Sequence, residues 1–344
     1  QVGDVLTCTA TASDADGATP TDTYAWSDGS TGGSYTITPA DAVDSTITCT
    51  ATATDMHGET DTGTASATVT NTAPTVVAVT VTPASGHVGD ALTCSATATD
   101  ADGTTPDIAY AWSGGSTGDT YTITAADAVD STITCTATAT DAYDATGTGT
   151  ASATVTNTAP VMGTVSITPD PAYNDDTLVC AATATDADGT TPDITYAWTG
   201  GATTRELPLT SIIAASGDTL TCTATATDAY GEADVGTASI TLGNRSPVVM
   251  ATITPATPNK SDTLTCTASG VSDPDDDATT LAFTWTVGGS PVAASSTSAT
   301  FTTLAAAFLA GQTVACRADV DDGKTGTGTD TAAVVIGNTA PAVS

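Results

Sequence analysis

A chain of 344 residues with a formal net charge of −34, from 39 acidic and only 5 basic residues, repels nucleic acid and anionic membrane surfaces, which removes both from the candidate partners. The acids are almost all Asp, since Glu stands only at Glu59, Glu206 and Glu232, and residues 1–204 hold no Lys or Arg. A merely solubilising or salt-adapted surface would use Glu too, so Asp-rich loops point to turn chemistry, cation binding or both. The missing basic residues also make the first half blind to trypsin-like proteases. No Cys-x-x-Cys occurs, and only His57 and His87 offer nitrogen ligands, so zinc and redox chemistry have little support. Signal-peptide, membrane-span and lipidation patterns are absent.

A repeat orders the chain. One cysteine recurs at Cys8, Cys94, Cys180 and Cys266, each 86 residues after the last. A tryptophan follows at Trp26, Trp112, Trp198 and Trp285, and a second cysteine closes each unit at Cys49, Cys135, Cys222 and Cys316. This period predicts four units, at 1–74, 75–160, 161–247 and 248–341, with 342–344 the start of a further repeat. The first unit begins at Gln1-Val2-Gly3-Asp4, the equivalent of His87-Val88-Gly89-Asp90, and lacks most of its opening strand. Both ends fall inside the repeat, so the chain is expected to be a window on a longer polypeptide that carries targeting and anchoring elsewhere.

The second unit is the template. Thr75–Pro83 alternates Val77, Val79 and Val81 with Thr80 and Thr82, an opening strand. Leu92, Cys94, Ala96 and Ala98 then alternate with Thr93, Ser95, Thr97 and Thr99, the first-cysteine strand, and Asp100-Ala101-Asp102-Gly103 ends it as a turn. Tyr110 and Trp112 share one face of the next strand, with the Trp expected against the disulfide. A Gly/Ser turn, Ser113–Gly118, leads to Tyr121 and Ile123. Asp127–Ser131 turns into the second-cysteine strand of Ile133, Cys135, Ala137 and Ala139, and Thr148–Thr156 is the last strand before the linker Asn157-Thr158-Ala159-Pro160. The third unit replaces the Gly/Ser turn with Gly200–Leu209, containing Arg205 and Glu206. The fourth diverges most, its cysteines 50 rather than 41 or 42 residues apart and the excess mainly in Gly288–Ala307. Short strands, frequent turns and no helical period predict an all-β fold of four tandem β-sandwiches.

The inner faces are lean, with Ala where Leu or Ile would bury more, at about 0.8 kcal/mol per methylene. One disulfide per unit offsets this, since closing a loop of some 40 residues contributes ~4 kcal/mol in the chain-entropy model. Regular pairing of this kind places the chain in an oxidising, secreted or cell-surface compartment. Four-residue linkers ending in Pro leave little slack, and strands of ~7–8 residues give roughly 35–40 Å per unit, so an extended rod of order 150 Å is expected.

Cys94…Trp112…Cys135, the segment Asp127-Ala128-Val129-Asp130-Ser131-Thr132-Ile133-Thr134-Cys135, and the Asp-x-Asp-Gly and Asn-Thr-Ala-Pro punctuation together resemble tandem bacterial immunoglobulin-like domains of surface proteins, overlapping in pattern with PKD-type and cadherin-like repeats. Ile133 stands where antibody-type domains place a tyrosine two residues before the second cysteine, so the tyrosine corner is absent. The resemblance implies adhesion, spacing or assembly at a cell surface and no single ligand.

In immunoglobulin topology the loops after the two cysteine strands meet the linker from the preceding unit. That gathers Asn71, Asp100, Asp102 and Asp141 with Asp144 nearby at the second unit, Asn157, Asp186, Asp188 and Asp228 at the third, and Asn244, Asp273, Asp275, Asp319 and Asp321 at the fourth. Calcium takes six to eight oxygens of this kind, whereas the same Asp residues also make good turns unaided. The outward threonines serve β-propensity and solubility first, with O-glycans and a flat ice-binding face as lesser readings. Asn244-Arg245-Ser246 and Asn259-Lys260-Ser261 match the N-glycan acceptor pattern. No nucleophile motif or equivalent pair of histidines supports catalysis. The expected role is structural: an extracellular stalk or a filament that pairs with copies of itself, or else an adhesin that engages a surface protein or glycan.

Overall fold

A computed structural model describes residues 1–210, 213–296, 301–304, 307–338 and 340. The segment 342–344, expected to open a further repeat, lies outside the described residues. Among those described, the chain is all β, with no helix and therefore none long and apolar enough to cross a membrane. By contact it forms two compact units, the first comprising Gln1–Thr158 with Ala187–Gly189 and the second the remainder.

In the first unit the most complete sandwich begins at Thr75. One sheet orders Thr120–Thr122, Ala91–Thr99 and Thr75–Thr82, all antiparallel. The facing sheet orders Ser85–Gly86, Thr146–Val155, Thr132–Thr140 and Asp107–Trp112, its first pair parallel. The opening segment thus contributes to both sheets, changing over at Pro83-Ala84. Alternation of small and hydroxyl residues dictates the faces: Ile133, Cys135, Ala137 and Ala139 are buried while the intervening threonines face outward, because successive strand side chains point to opposite sides. Cys94 bonds Cys135 across the sheets with Cα atoms 6.4 Å apart. Trp112, beside Cys135 in register, packs into the core of Leu92, Ile123, Ile133 and Val155, and its Nε1–H donates to the Gly118 carbonyl at 2.9 Å.

The tyrosine corner is replaced by a different latch. Tyr121, on the strand neighbouring Ala91–Thr99, stacks at 5.5 Å on Trp112 and donates its hydroxyl to both Asp127 oxygens at 2.9 Å. The N–H of Thr124 donates to Asp127 too, and Asp130 in the same turn adopts φ 64°. The sandwich before it repeats the latch with Tyr35 on Asp41, at 2.8 and 2.9 Å. There the hydrogen bond to Asp41 pushes the Tyr35 hydroxyl up to about 12. Partial burial pushes Asp41 upward, but the Thr38 N–H and the Tyr35 and Thr38 hydroxyls outweigh it and hold the carboxyl below its ordinary range. The raised tyrosine contributes stability that is complete below pH ~10 and lost as pH climbs through about 12. The lowered carboxyl contributes stability present above the ordinary carboxylate value and lost as pH falls through its depressed one. Tyr35→Phe is expected to lower urea stability at neutral pH and to flatten the alkaline limb between pH 10 and 12; an unaltered alkaline limb would contradict the latch.

The remaining sandwich of the first unit pairs Val5–Thr7 with Ser34–Thr36, facing Thr21–Trp26, Thr46–Thr54 and Thr60–Thr68. Its core is Trp26, Ile37, Ile47 and Val69 around the Cys8–Cys49 bridge.

In the second unit, Val161–Thr168, Thr177–Thr185 and Glu206–Pro208 face Asp193–Trp198, Thr219–Thr227 and Ala233–Thr241. Leu178, Leu207, Leu209, Leu220 and Leu242 enrich this core around Cys180–Cys222. The last sandwich sets Val248–Thr254, Leu264–Ser272 and Phe301–Leu304 against Ser290–Ser296, Thr280–Val287, Thr313–Asp321 and Thr327–Val335. Its long cysteine interval, 50 residues in Cys266–Cys316, is taken up partly by the added edge strand Ser290–Ser296, and Phe283, Trp285 and Phe308 fill its core.

Candidate functional site at the joints

Inside the first unit, the linker after Val69 is gripped by two loops of the following sandwich. Asp100 closes its own turn: it accepts the Asp102 N–H at 2.9 Å and the Thr104 hydroxyl at 2.5 Å. Asp102 turns to the linker instead, accepting the Thr72 N–H at 2.6 Å and the Thr72 hydroxyl at 3.1 Å. Asp141, only 7% exposed, takes the N–H groups of Tyr143 and Ala145 on Oδ1, both at 2.9 Å, and the Asn71 amide on Oδ2 at 2.8 Å. The Asn71 bond, opposed by burial and assisted by the two amides, holds the Asp141 carboxyl below its ordinary range. Asn71 Oδ1 is buried without a donor.

Thr158, at the end of the first unit, repeats this bond on Asp188, at 2.6 Å from its N–H and 3.1 Å from its hydroxyl, with Asn157 half-buried beside it in sequence. In the second unit Asp186 accepts the Thr190 hydroxyl at 2.7 Å, and Asp228 closes its loop on the N–H groups of Tyr230 and Glu232 at 2.9 Å.

The joint within the second unit is built differently. Asn244 donates to Asp322 Oδ2 at 2.8 Å, and Asp322 Oδ1 takes the N–H groups of Lys324 and Gly326. Asp322, not Asp319 or Asp321, therefore holds the place of Asp141. The register explains the correction: Val314, Cys316, Ala318 and Val320 point inward, so Asp319 and Asp321 point away. Asp319 pairs with Arg317 at 2.6 Å and Asp321 accepts the Gly323 N–H at 2.6 Å. Counting six residues from the second cysteine reaches Asp55, Asp141, Asp228 and Asp322 alike, a spacing that marks the right residue.

Arg245 occupies the linker position of Thr72. Its N–H and Nε bond Asp275, whose side chain is fully buried, and Nη2 stands 2.7 Å from Asp275 Oδ1 and 3.0 Å from Asp175. The guanidinium also donates to the Pro274 carbonyl at 2.8 Å and lies 4.8 Å over the Tyr173 ring. On the other side, Lys324 reaches the Ser216 carbonyl and lies 3.3 Å from Asp277, which accepts the Ser216 hydroxyl at 2.6 Å. Asp273, Asp275 and Asp277 bring carboxylate oxygens within 4.8 Å of one another. Asp273 Oδ1 takes the Asp275 and Asp277 N–H groups, whereas Asp273 Oδ2 and Asn244 Oδ1 are buried without donors. Arg245, Lys324, Asp277 and Asp322 were not among the candidate ligands at the joints; Arg245 stood out only within the glycan acceptor pattern Asn244-Arg245-Ser246.

No family model and no curated protein matches the chain. Among solved structures, a tetra-tandem repeat from the extending region of a large adhesion protein overlaps it with TM-score 0.31 and 20% identity, covering 91% of this chain and 90% of that one. A Ca2+-stabilized adhesin with which an Antarctic bacterium binds ice gives 0.33 and 20%, covering 93% and 90%. Sidekick-1 immunoglobulin domains 1–5 give 0.26 and 16%, covering 98% and 77%. Overlap at these scores is too slight to transfer a ligand or a partner.

Proposed function

We propose that the chain is a structural segment of an exported surface protein, an array of sandwiches that spaces or projects whatever the full polypeptide presents. The observation that carries this reading is the grip of Asp102 and Asp141 on Thr72 and Asn71, and of Asp275 and Asp322 on Arg245 and Asn244. Bonds of this type spend the loop carboxylates on setting the angle between neighbouring sandwiches, where a flexible tether would leave them in water. Repeated small cores stapled by disulfides suit an oxidising exterior.

A calcium ion at the first joint is part of this proposal. Asn71 Oδ1 is buried without a donor, and Asp141 Oδ2 already lies against the same side chain; a bound ion would offset that carboxylate's charge and stiffen the linker. At the joint within the second unit, Arg245 and Lys324 already bring positive charge to the acids. Calorimetric melting of the full chain in calcium and then in chelator tests this. A calcium-dependent rise confined to part of the transition is expected, and a melting profile indifferent to calcium would overturn the ion. The spacing role is tested separately by the dimensions of the chain in solution.

A further inference from the structure

Of the six asparagines in the chain, two head an Asn-x-Ser triplet, Asn244-Arg245-Ser246 and Asn259-Lys260-Ser261, and the fold treats them in opposite ways. Asn244 belongs to the joint within the second unit. Its amide donates to Asp322 Oδ2 at 2.8 Å and its Oδ1 is buried, while the middle residue of its triplet, Arg245, is tied to Asp275 and Asp175. A sugar on the Asn244 nitrogen would break the Asp322 bond and open the joint.

Asn259 stands in the turn between Val248–Thr254 and Leu264–Ser272. The backbone of this turn is held on all sides. The Asn259 N–H donates to Asp262 Oδ2 at 2.7 Å, and the Asp262 N–H returns to the Asn259 carbonyl at 3.2 Å. The Gly337 N–H reaches the Pro258 carbonyl at 2.7 Å, and the Phe308 N–H reaches the Lys260 carbonyl at 3.3 Å. The side chains are left over: Asn259, Lys260 and Ser261 are exposed, and among the described residues neither the Asn259 carboxamide nor the Ser261 hydroxyl forms a hydrogen bond. The repeat explains the free carboxamide. His87, Tyr173 and Asn259 all stand seven residues before the first cysteine of their sandwiches. His87 Nδ1 lies 3.2 Å from the Thr156 hydroxyl, and Tyr173 lies under Arg245. Gly337 stands 21 residues after the second cysteine, as Thr156 does, so Asn259 finds no hydroxyl there. His87 is itself exposed in a sandwich that another follows, so the openness of this position does not depend on the end of the chain.

We propose that Asn259 is the attachment site of an N-linked glycan, supplied by a lipid-linked oligosaccharide diphosphate, and that the joint withholds Asn244. Transfer joins Asn259 Nδ2 to the anomeric carbon of the donor's first sugar, breaks that carbon's bond to the lipid diphosphate, and passes one amide proton to a base of the transferase. Acceptors of this pattern lie on surface loops of exported chains. A turn whose backbone is already fixed and whose carboxamide is unused takes a bulky, solvated group without displacing a packed side chain. The assignment shares with the proposed function only its exported setting; it needs neither the spacing role nor calcium.

The test incubates the folded, disulfide-bonded full chain with a lipid-linked oligosaccharide and a single-subunit oligosaccharyltransferase that requires only the Asn-x-Ser/Thr triplet. Intact mass counts the glycans and peptide mapping places them. One glycan per chain, on Asn259, is expected. Ser261→Ala should lose it while keeping the Asn259–Asp262 turn bonds, and Asn244→Gln should retain it. A synthetic peptide of residues 255–263 in the same mixture reports whether the triplet is an acceptor outside the fold. Modification of the peptide but not of the folded chain would overturn the proposal, because the turn would then be closed to the transferase. Failure of both peptide and chain, or a glycan on Asn244 of the folded chain, would overturn it equally; the peptide comparison needs no variant to fold.

Discussion

Replacing Cys94 and Cys135 together by alanine is expected to cost the sandwich around them about 4 kcal/mol, the value for reopening a 41-residue loop. Much of that sandwich's cohesion rests on the bridge, because its inner face is built from alanine: Ala137, Ala139 and Ala153 are buried where larger side chains would withdraw more surface from water. Domains of this size hold only about 5–15 kcal/mol in total. The variant should therefore lose this sandwich from the cooperative urea transition at moderate denaturant while the others persist. The equivalent change at Cys180 and Cys222 should be tolerated better, since Leu178, Leu207, Leu209, Leu220 and Leu242 surround it. Site-resolved amide exchange across a urea series separates the two. A loss below about 1 kcal/mol at Cys94–Cys135 would mean that packing, not the bridge, carries the fold.

Arg245→Ala is expected to have the second largest effect. It strips the guanidinium from Asp275, whose side chain has no exposure, and a buried charge left without its partner costs roughly 3–5 kcal/mol. Asp175, exposed and also paired with Arg245, should contribute little because water screens it. Arg245→Thr discriminates the cause. It recreates the residue that bonds Asp102 elsewhere in the chain through an N–H and a hydroxyl, so it should recover part of the loss that alanine does not. Exchange protection of the loop 273–277, measured in both variants, is the readout. Equal loss in the two would show that the charge matters and the linker hydrogen bonds do not, whereas no loss in either would remove the clamp from the account.

Much of the fold was legible because its signals are local or periodic. Cys…Trp…Cys on a fixed spacing and the Ala/Thr alternation of Thr132–Thr140 specify which faces meet, and a period of two leaves no freedom in register once one face is buried. The turn role of Asp100 could also be read, because its partners Asp102 and Thr104 lie within four residues. Other features depend on contacts across long intervals. Asn71 meets Asp141 70 residues away, and Lys324 meets Ser216 108 residues away; nothing in the spacing of one loop announces its partner. The acidic run at Asp319–Asp322 shows the difference sharply. All its acids look equivalent in the chain, but strand alternation turns Asp319 and Asp321 away and leaves Asp322 buried against Asn244. The latch of Tyr121 on Asp127 escaped notice for a related reason, since the tyrosine sits on a different strand from the one antibody-type domains use.

The proposed spacing role is tested most directly by the radius of gyration of the chain in dilute solution. Small-angle X-ray scattering of the full chain is expected to give about 45 Å, the value for a rod of order 150 Å built from four sandwiches of strands rising ~3.3 Å per residue. A compact protein of the same length would give about 20 Å. A measured value near the compact one, with a single globular distance distribution, would contradict the spacing role outright.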